Sequence, residues 1–327
     1  MLNSKTFLRH FYSEQKKNYR FFDILFYFLG LMMIVGLIIF FNNRIDYTGI
    51  FNRVSSQSIA FSFIAHLMGS FFISLSQIYM VKSFNVSLGF FESFFLTIVN
   101  RAGNLFTPFR AGIAYRAVYF KTRHDMPLMY FGSMFLGFDF ILLFTASTVG
   151  AILLTFYWMK GQHGLFILMC LLWVGVFLSL ILFSLSKNTF QISHGRTSRL
   201  FLLLNGIYLL RNNKPSIYIS ILGNLFTILF YAIAFNFILF DMSLSPTWQS
   251  AVLVSSIGGL ARLIHIFPSS FGIYEGIIAL MGSFLSIPPS VGFSMALLLR
   301  LCEILIYAIL ILPGLIFLNS RKRQNFV

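Results

Sequence analysis

Residues 100–112 read Asn-Arg-Ala-Gly-Asn-Leu-Phe-Thr-Pro-Phe-Arg-Ala-Gly and lie within a hydrophobic region of the chain. Lipid penalises such a segment, because charged side chains and interrupted backbone both need partners there. Residues 261–272 repeat the arrangement as Ala-Arg-Leu-Ile-His-Ile-Phe-Pro-Ser-Ser-Phe-Gly. In each copy a proline follows an arginine by six or seven residues, and a glycine follows the proline by four. Pro108 and Pro268 are 160 residues apart, close to half the chain.

Paired hydrophobic segments that glycine and proline interrupt, one in each half of a chain, are typical of a transporter binding site at the bilayer midplane. The other interpretation is that two loops between spans happen to contain arginine and proline. If the segments form one site, the sequence predicts that substrate contacts Arg101, Pro108, Arg110, Gly112, Arg262, Pro268, Gly272 and Glu275.

The composition indicates a polytopic membrane protein. Hydrophobic residues make up 58% of the sequence and the mean hydropathy is +0.83, well above the range of ordinary globular domains. Lys and Arg number 24 against nine Asp and Glu. In a soluble protein this excess would suggest nucleic acid as a partner, but here it falls in short loops and follows the positive-inside rule. We therefore expect neither a soluble enzyme fold nor a nucleic-acid partner.

The order of apolar runs predicts an all-α membrane bundle of about eight spans with two broken or re-entrant segments, compatible with an inverted repeat. The first span is predicted at Phe21–Phe41, and Val86–Thr107 is expected to dip into the membrane and return, since basic residues flank it on both sides. Leu200–Leu210 is too short to span and is expected along the interface. The predicted organisation is a basic leader (1–20), one transmembrane domain (21–318, with halves 21–186 and 215–318 joined by a linker, 187–214) and a basic tail (319–327).

Basic residues place both termini in the cytoplasm, with a bacterial-type plasma (inner) membrane as the expected location. No metal-ligand spacing, phosphate-binding glycine loop or nucleophile elbow is found in the sequence, so no cofactor, metal or catalytic residue is expected. His66, in the second predicted span, is interpreted as a hydrogen-bonded core residue rather than a proton relay.

Ionisable residues inside the hydrophobic segments are functional candidates, because their burial without partners costs several kcal/mol. The acids are Glu92, Asp139, Glu275 and Glu303, and the bases are Arg101, Arg262 and Arg300. Arg300 and Glu303 are spaced to pair on one helix face. Glu275 lies beside two glycines and could hold Arg262 or Arg300, or accept a proton. We predict that Asp139, Arg300 and Glu303 form an intramembrane charge network.

Two patches resemble the lysylphosphatidylglycerol synthase transmembrane-region family, also called flippase-like integral membrane proteins. One patch is 100–116, followed by Asp139, and the other is 267–276, followed by Arg300. Phe271 stands where the family usually has a glycine, and Gly137-Phe138 precedes Asp139 where the family tends to have an arginine. The resemblance implies a helical domain that moves or binds anionic or polyprenyl-linked lipids. The family's soluble aminoacyl-transferring domain has no counterpart before Val327, so lysyl transfer is not expected from this chain alone.

The sequence thus predicts a lipid translocase or lipid-binding transporter. Its expected partner is a membrane lipid with an anionic or polyprenyl-phosphate head, and the sequence is compatible with a homo-oligomer. In this hypothesis Arg101, Arg110 and Arg262 engage the head group. Two alternatives remain: a membrane transferase acting on lipid-linked phosphate, and a non-catalytic accessory subunit.

Overall fold

The computed structural model describes residues 52–106, 111–159, 166–185, 199–244, 247–263, 272–285 and 287–320, and these form helices joined by short connections without any strand. The predicted all-α class is therefore confirmed. The helices are α1 (Ser56–Lys82), α2 (Phe90–Phe106), α3 (Ala111–Arg123), α4 (Leu128–Met159), α5 (Phe166–Leu185), α6 (Arg199–Asn212), α7 (Lys214–Asp241), α8 (Trp248–Ala261), α9 (Ile273–Phe284) and α10 (Pro289–Ser320).

Four helices are long and apolar enough to cross a bilayer, namely α1, α4, α7 and α10, with 27, 32, 28 and 32 residues. A span needs about 20 residues, because each contributes about 1.5 Å along the helix axis. Their bounds lie close to the spans that the apolar runs of the sequence predict at about Ser58–Met80, Pro127–Met159, Pro215–Phe240 and Val291–Leu318. The predicted first span, Phe21–Phe41, lies outside the described residues, and the count of about eight crossings stays a prediction.

The helices α1 and α7 pack along each other as an antiparallel pair. Near the start of α1, the Ser58 hydroxyl donates to the Asp241 carboxylate at the end of α7, at 2.6 Å. One turn further, the rings of Phe61 and Phe237 stack with centroids 4.0 Å apart. Small residues allow the close approach, since a Cβ added at Gly223 of α7 would lie 2.8 Å from the Ser76 hydroxyl. Close packing through small residues is the usual way helices associate in membranes.

The first interrupted segment is a hairpin of the antiparallel helices α2 and α3. Near its tip the backbones meet at Gly103 and Gly112, where a Cβ added to Gly103 would lie 2.7 Å from the Gly112 Cα. At the open end Glu92 accepts a hydrogen bond from the Tyr119 hydroxyl at 2.7 Å and lies 2.9 Å from the His124 Nε2. The hairpin agrees with the predicted segment that dips into the membrane and returns. How deep it lies in the membrane stays a prediction.

The second interrupted segment is also a hairpin, built from α8 and α9. Gly258 of α8 lies against Tyr274 at the start of α9, while Ala251 and Gly282, further from the tip, line one small cavity. Gly272, just before α9, has a backbone φ of 79°. This left-handed conformation favours glycine, which has no Cβ to clash.

Each hairpin packs against the last long helix of the other half. The Val99 side chain of α2 packs against Gly314 of α10, and the Leu253 side chain of α8 packs against Gly150 of α4. The helices α1–α4 and α7–α10 thus form two similar units. Because α1 and α7 are antiparallel, the units run in opposite directions, which is the arrangement of an inverted repeat.

The helix α6 lies between the two units in the sequence and packs on α4. The Ser133 hydroxyl of α4 donates to the Leu203 carbonyl at 2.7 Å, and Gly206 leaves room for this contact. Its position along the membrane interface, and the division of the chain at 187–214, stay predictions.

Candidate functional site

A polar cavity of about 210 Å³ lies between the two hairpins, where α2, α3, α4, α10 and the residues after α8 approach one another. Most helices of the bundle are apolar, so a cluster of charges at this place requires a specific arrangement of partners. The ionisable residues that line the cavity are Arg101, Arg116, Asp139, Arg262, Arg300 and Glu303.

A side lobe of about 70 Å³ adjoins this cavity. The two spaces share five lining residues, which are Ile73, Arg101, Phe138, Leu142 and Arg262. The polar residues found only in the lobe are Asn224, Thr227, Tyr231, Ser255 and Tyr274. We keep the name side lobe for this space.

Arg101 reaches the cavity from α2 and is held by a tyrosine of the other unit. Its Nη1 donates to the Tyr307 hydroxyl at 2.5 Å, and the guanidinium carbon lies 5.9 Å from the centre of the Tyr307 ring. The Tyr307 hydroxyl is also 3.2 Å from the Ser70 hydroxyl. Tyr307 is fully buried, so this contact fixes the guanidinium where α2 meets α10.

Arg262 ends α8 and begins a chain of hydrogen bonds that crosses three helices. Its Nη1 donates to the Tyr231 hydroxyl at 3.1 Å, and that hydroxyl lies 2.7 Å from the His66 Nδ1. The His66 Nε2 is 2.9 Å from the Leu299 carbonyl, which can only accept, so Nε2 carries a proton. A neutral imidazole satisfies both contacts when Tyr231 donates to Nδ1. The prediction of a hydrogen-bonded core histidine is confirmed.

Arg300 of α10 is held by two carboxylates. Its Nε donates to Glu275 at 3.0 Å and its Nη1 donates to Glu303 at 3.2 Å, which confirms the predicted contact between Arg300 and Glu303. The second oxygen of Glu275 accepts from the Gly272 backbone N–H at 2.8 Å. Of the two arginines that the sequence left open for Glu275, the structure pairs it with Arg300. Glu275 thereby connects the start of α9 to α10.

Arg116 and Asp139 complete the charged lining from α3 and α4. The Asp139 carboxylate lies close enough to Arg116 to favour its charged form. The sequence analysis counted Arg116 only among the basic residues that follow Val86–Thr107. Its spacing of one helical turn from Gly112 was a signal that it shares the face turned toward α2.

The structure brings together many of the predicted site residues. Arg101, Arg262, Asp139, Arg300 and Glu303 line the cavity. Glu275 accepts hydrogen bonds from Arg300 and from the Gly272 backbone N–H. Gly112 lies where the backbones of α2 and α3 approach each other closely. Three predicted residues lie outside the described residues: Pro108, Arg110 and Pro268.

Sequence reasoning missed the three tyrosines Tyr231, Tyr274 and Tyr307, because tyrosine in an apolar helix gives no charge signal. The guanidinium carbon of Arg262 lies 4.7 Å from the centre of the Tyr231 ring and 5.2 Å from that of Tyr274. Arg300 lies 5.1 Å from the Tyr274 ring centre. These cation–π contacts, which gain strength when the groups are desolvated, position both guanidinium groups.

The lining carries more positive than negative charge, with four arginines against two carboxylates. Within the described part of the chain, no group of three His, Cys, Asp or Glu residues could hold a metal ion. The cavity can therefore hold an anionic group through guanidinium forks, which bind phosphate or carboxylate oxygens in pairs.

Comparison with known proteins agrees with this architecture. The family model described as lysylphosphatidylglycerol synthase TM region matches residues 27–311. No curated protein matches the chain. Because the matched residues include both hairpins, the cavity and most of the chain, this protein belongs to the lysylphosphatidylglycerol synthase TM region family.

Proposed function

We propose that this integral membrane protein is a lipid translocase or lipid-binding transporter for an anionic or polyprenyl-linked lipid. The observation that carries the proposal is the cavity of four arginines and two carboxylates between helices long enough to span a bilayer. Intramembrane charge of this kind generally marks a substrate pathway. The expected location is a bacterial-type plasma membrane with both termini in the cytoplasm.

A phosphate-bearing head group suits this lining. Arg101 and Arg262 each donate a hydrogen bond to an uncharged tyrosine hydroxyl. Arg300, by contrast, faces the carboxylates of Glu275 and Glu303. We assign Arg101, Arg262 and Arg110 to the head group and assign Glu275, Asp139, Arg300 and Glu303 to holding or switching the hairpins.

The inverted arrangement suggests how a head group could cross. In transporters built from inverted repeats, access alternates when one repeat rocks against the other around a fixed site. Here the contact between Arg101 and Tyr307 joins the two units, so such a motion would separate or re-pair it. The hydrocarbon tails would remain in the bilayer beside the apolar outer faces of the long helices.

The proposal is tested by reconstituting the protein into vesicles that contain a fluorescent anionic phospholipid and measuring its movement between leaflets. We expect Arg101→Ala to reduce the rate at least tenfold, since a lost charged hydrogen bond costs about 1.5–3 kcal/mol. Glu275→Ala is expected to reduce it as well. The matched control is Arg53→Ala, which removes an exposed arginine outside the cavity.

Equal rates for wild type, Arg101→Ala and Glu275→Ala in equally folded samples would contradict the proposal. A loss of the same size in Arg53→Ala would also contradict it, because overall charge rather than the cavity would then set the rate.

A further inference from the structure

The first half of α7 carries a row of buried polar side chains. Ser216, Ser220 and Asn224 follow one another at intervals of four residues, and each is at most 3% exposed. Within the described residues, the two hydroxyls and the Asn224 Nδ2 have no hydrogen-bond partner. Nearly all buried polar groups in native proteins are paired with protein atoms or with ordered water. Three such groups in one row therefore point to a ligand that they share.

The two serines of this row differ from other buried hydroxyl groups of α1 and α7. Ser70, Ser74 and Thr227 each donate to the backbone carbonyl four residues earlier, at 2.9, 2.6 and 2.8 Å. Such a bond satisfies a hydroxyl within its own helix. Ser216 and Ser220 make no bond of this kind in the described part of the chain, so both hydroxyls can donate to a ligand.

The opposite stretch of α1 carries a fourth group of the same kind. The Asn213 Nδ2 donates to the Ser83 hydroxyl at 2.8 Å, and a Cβ added at Gly223 would lie 2.8 Å from the Ser76 hydroxyl. Residues 76–83 of α1 therefore run along residues 213–223 of α7. Gln77 lies in this stretch and is 1% exposed, and its Nε2 has no partner among the described residues. We name Gln77, Ser216, Ser220 and Asn224 the polar path.

The polar path leads from a membrane surface to the cavity. At its start Lys82 and Lys214 are exposed, and charged side chains at helix ends lie at the membrane interface. At its inner end Asn224 lines the side lobe, and Gln77 accepts a hydrogen bond at 3.2 Å from Thr97, which lines the main cavity. The ten residues from Lys214 to Asn224 cover about 15 Å of helix, half of the roughly 30 Å hydrocarbon core.

The spacing of the row fits water. Residues four apart are separated by about 6 Å along the helix axis. One water molecule bonded to two hydroxyls spans about 5.6 Å, because each O–H···O bond measures about 2.8 Å. Water both donates and accepts, so it can pair with hydroxyl and amide groups alike. A cation fits less well, since Arg101 and Arg262 line the lobe at the inner end.

We propose that the polar path holds a file of water molecules that connects the cavity to the membrane surface at which α7 begins. Buried arginines need hydrogen-bonding partners, so water must enter the cavity when a ligand leaves and must depart when a ligand binds. The path provides the route for this exchange. The inference goes beyond the proposed function, because it does not depend on which ligand the cavity takes.

The test measures how fast heavy water reaches a single cysteine. With Cys170 and Cys302 replaced by alanine, Ser220→Cys gives the full chain one thiol, which lies on the path. Infrared spectroscopy follows the loss of its S–H stretching band after the protein, purified in detergent micelles, is transferred to D2O. We expect exchange about tenfold faster than at a dry position, where a thiol exchanges only when the helices open locally.

Ser179→Cys in the same background supplies the dry position. Ser179 is 3% exposed, and its hydroxyl donates to the Val176 carbonyl at 2.7 Å. It lies six residues before the end of α5, as Ser220 lies six residues after the start of α7. It lines neither the cavity nor the side lobe.

A further substitution obstructs the path. Ser216→Leu fills its outer part, so exchange at Ser220→Cys should slow to the rate of Ser179→Cys. Tyr218→Leu is the matched control, because Tyr218 is 61% exposed on the same helix and lies outside the path. It should leave the rate unchanged. Ser216→Val, which adds less volume, replaces Ser216→Leu if the leucine variant does not elute as folded protein.

Two results would overturn the inference. Exchange at Ser220→Cys as slow as at Ser179→Cys would show that the row is dry. Fast exchange that Ser216→Leu does not slow would show that water arrives through the cavity and not from the start of α7. No lipid substrate is added in these measurements, so the path and the proposed lipid transport are tested separately.

Discussion

Each of three arginines in the cavity is held by a residue on a different helix. Arg101 contacts Tyr307, Arg262 contacts Tyr231, and Arg300 contacts Glu275. Burying a guanidinium in a region of low dielectric is costly unless hydrogen bonds replace the lost water. The residues of the site are therefore coupled, and removing one partner is expected to affect stability as well as ligand binding.

The contact between Glu275 and Arg300 gives a residue-scale prediction. Glu275→Ala removes the acceptor of both the Arg300 guanidinium and the Gly272 N–H. Because a buried charge loses one of its two carboxylates, we expect the free energy of unfolding to fall by about 3 kcal/mol. Denaturant unfolding in mixed micelles measures it.

The control for this prediction is Glu275→Gln, which keeps one acceptor oxygen and the shape of the side chain. We expect it to lose clearly less stability than Glu275→Ala. If Glu275→Ala unfolds at the denaturant concentration of wild type, the ion pair contributes nothing to the fold.

The hairpins are the elements that bring the arginines to the cavity. In the first hairpin α2 and α3 approach so closely that only glycine fits at their contact. In the second, Gly272 supplies the left-handed backbone that turns the chain into α9. Both features require glycine because it has no Cβ. In the first hairpin this lets two helix backbones approach closely, and at Gly272 it permits a positive φ.

The packing of the first hairpin gives an element-scale prediction. A Cβ added at Gly112 would overlap the Asn100 carbonyl, a backbone atom that cannot move without separating the two helices. We expect Gly112→Ala to destabilise the protein by more than about 2 kcal/mol and to reduce lipid movement. Thermal unfolding followed by size-exclusion chromatography measures the stability.

Gly276→Ala is the comparison, because a Cβ added at Gly276 meets no atom within 4 Å. Alanine is the better helix former, so this change should leave stability equal or raise it by up to about 1 kcal/mol. Similar melting temperatures for the two variants would contradict the close contact in the first hairpin.

At the scale of the whole molecule, two units of opposite direction share one cavity. The antiparallel helices α1 and α7 pack against each other across the boundary of the units, and each hairpin packs on the last long helix of the other unit. Arg101 comes from one unit and its partner Tyr307 from the other. The site therefore exists only when both units are assembled.

The pairing of α1 with α7 predicts a specific cross-link. A Cβ added at Gly69 would lie 3.4 Å from the Thr227 Cγ2, so cysteine side chains at the two positions would be in contact, as a disulfide requires. After Cys170 and Cys302 are replaced by alanine, we expect Gly69→Cys with Thr227→Cys to form a disulfide under mild oxidation. Mass spectrometry of the digested protein detects the linked peptides.

The control pair is Gly69→Cys with Leu222→Cys, because Leu222 lies on the same helix, about half of its surface is exposed and it does not contact Gly69. Preferential cross-linking of this pair would show that the two helices are not in the observed register.

That the chain is helical and lies in a membrane follows from its residues alone, because lipid requires each backbone group to be satisfied within its own helix and the length of an apolar run reports such a helix. The two interrupted segments and the contact of Arg300 with Glu303 could also be predicted, since residues three apart on a helix are neighbours in any fold. The contacts of Glu275 with Arg300, of Arg101 with Tyr307 and of Arg262 with Tyr231 became visible only in the folded chain. Packing sets which faces of distant helices meet, so no local spacing encodes a contact such as that of Arg101 with Tyr307, 206 residues away.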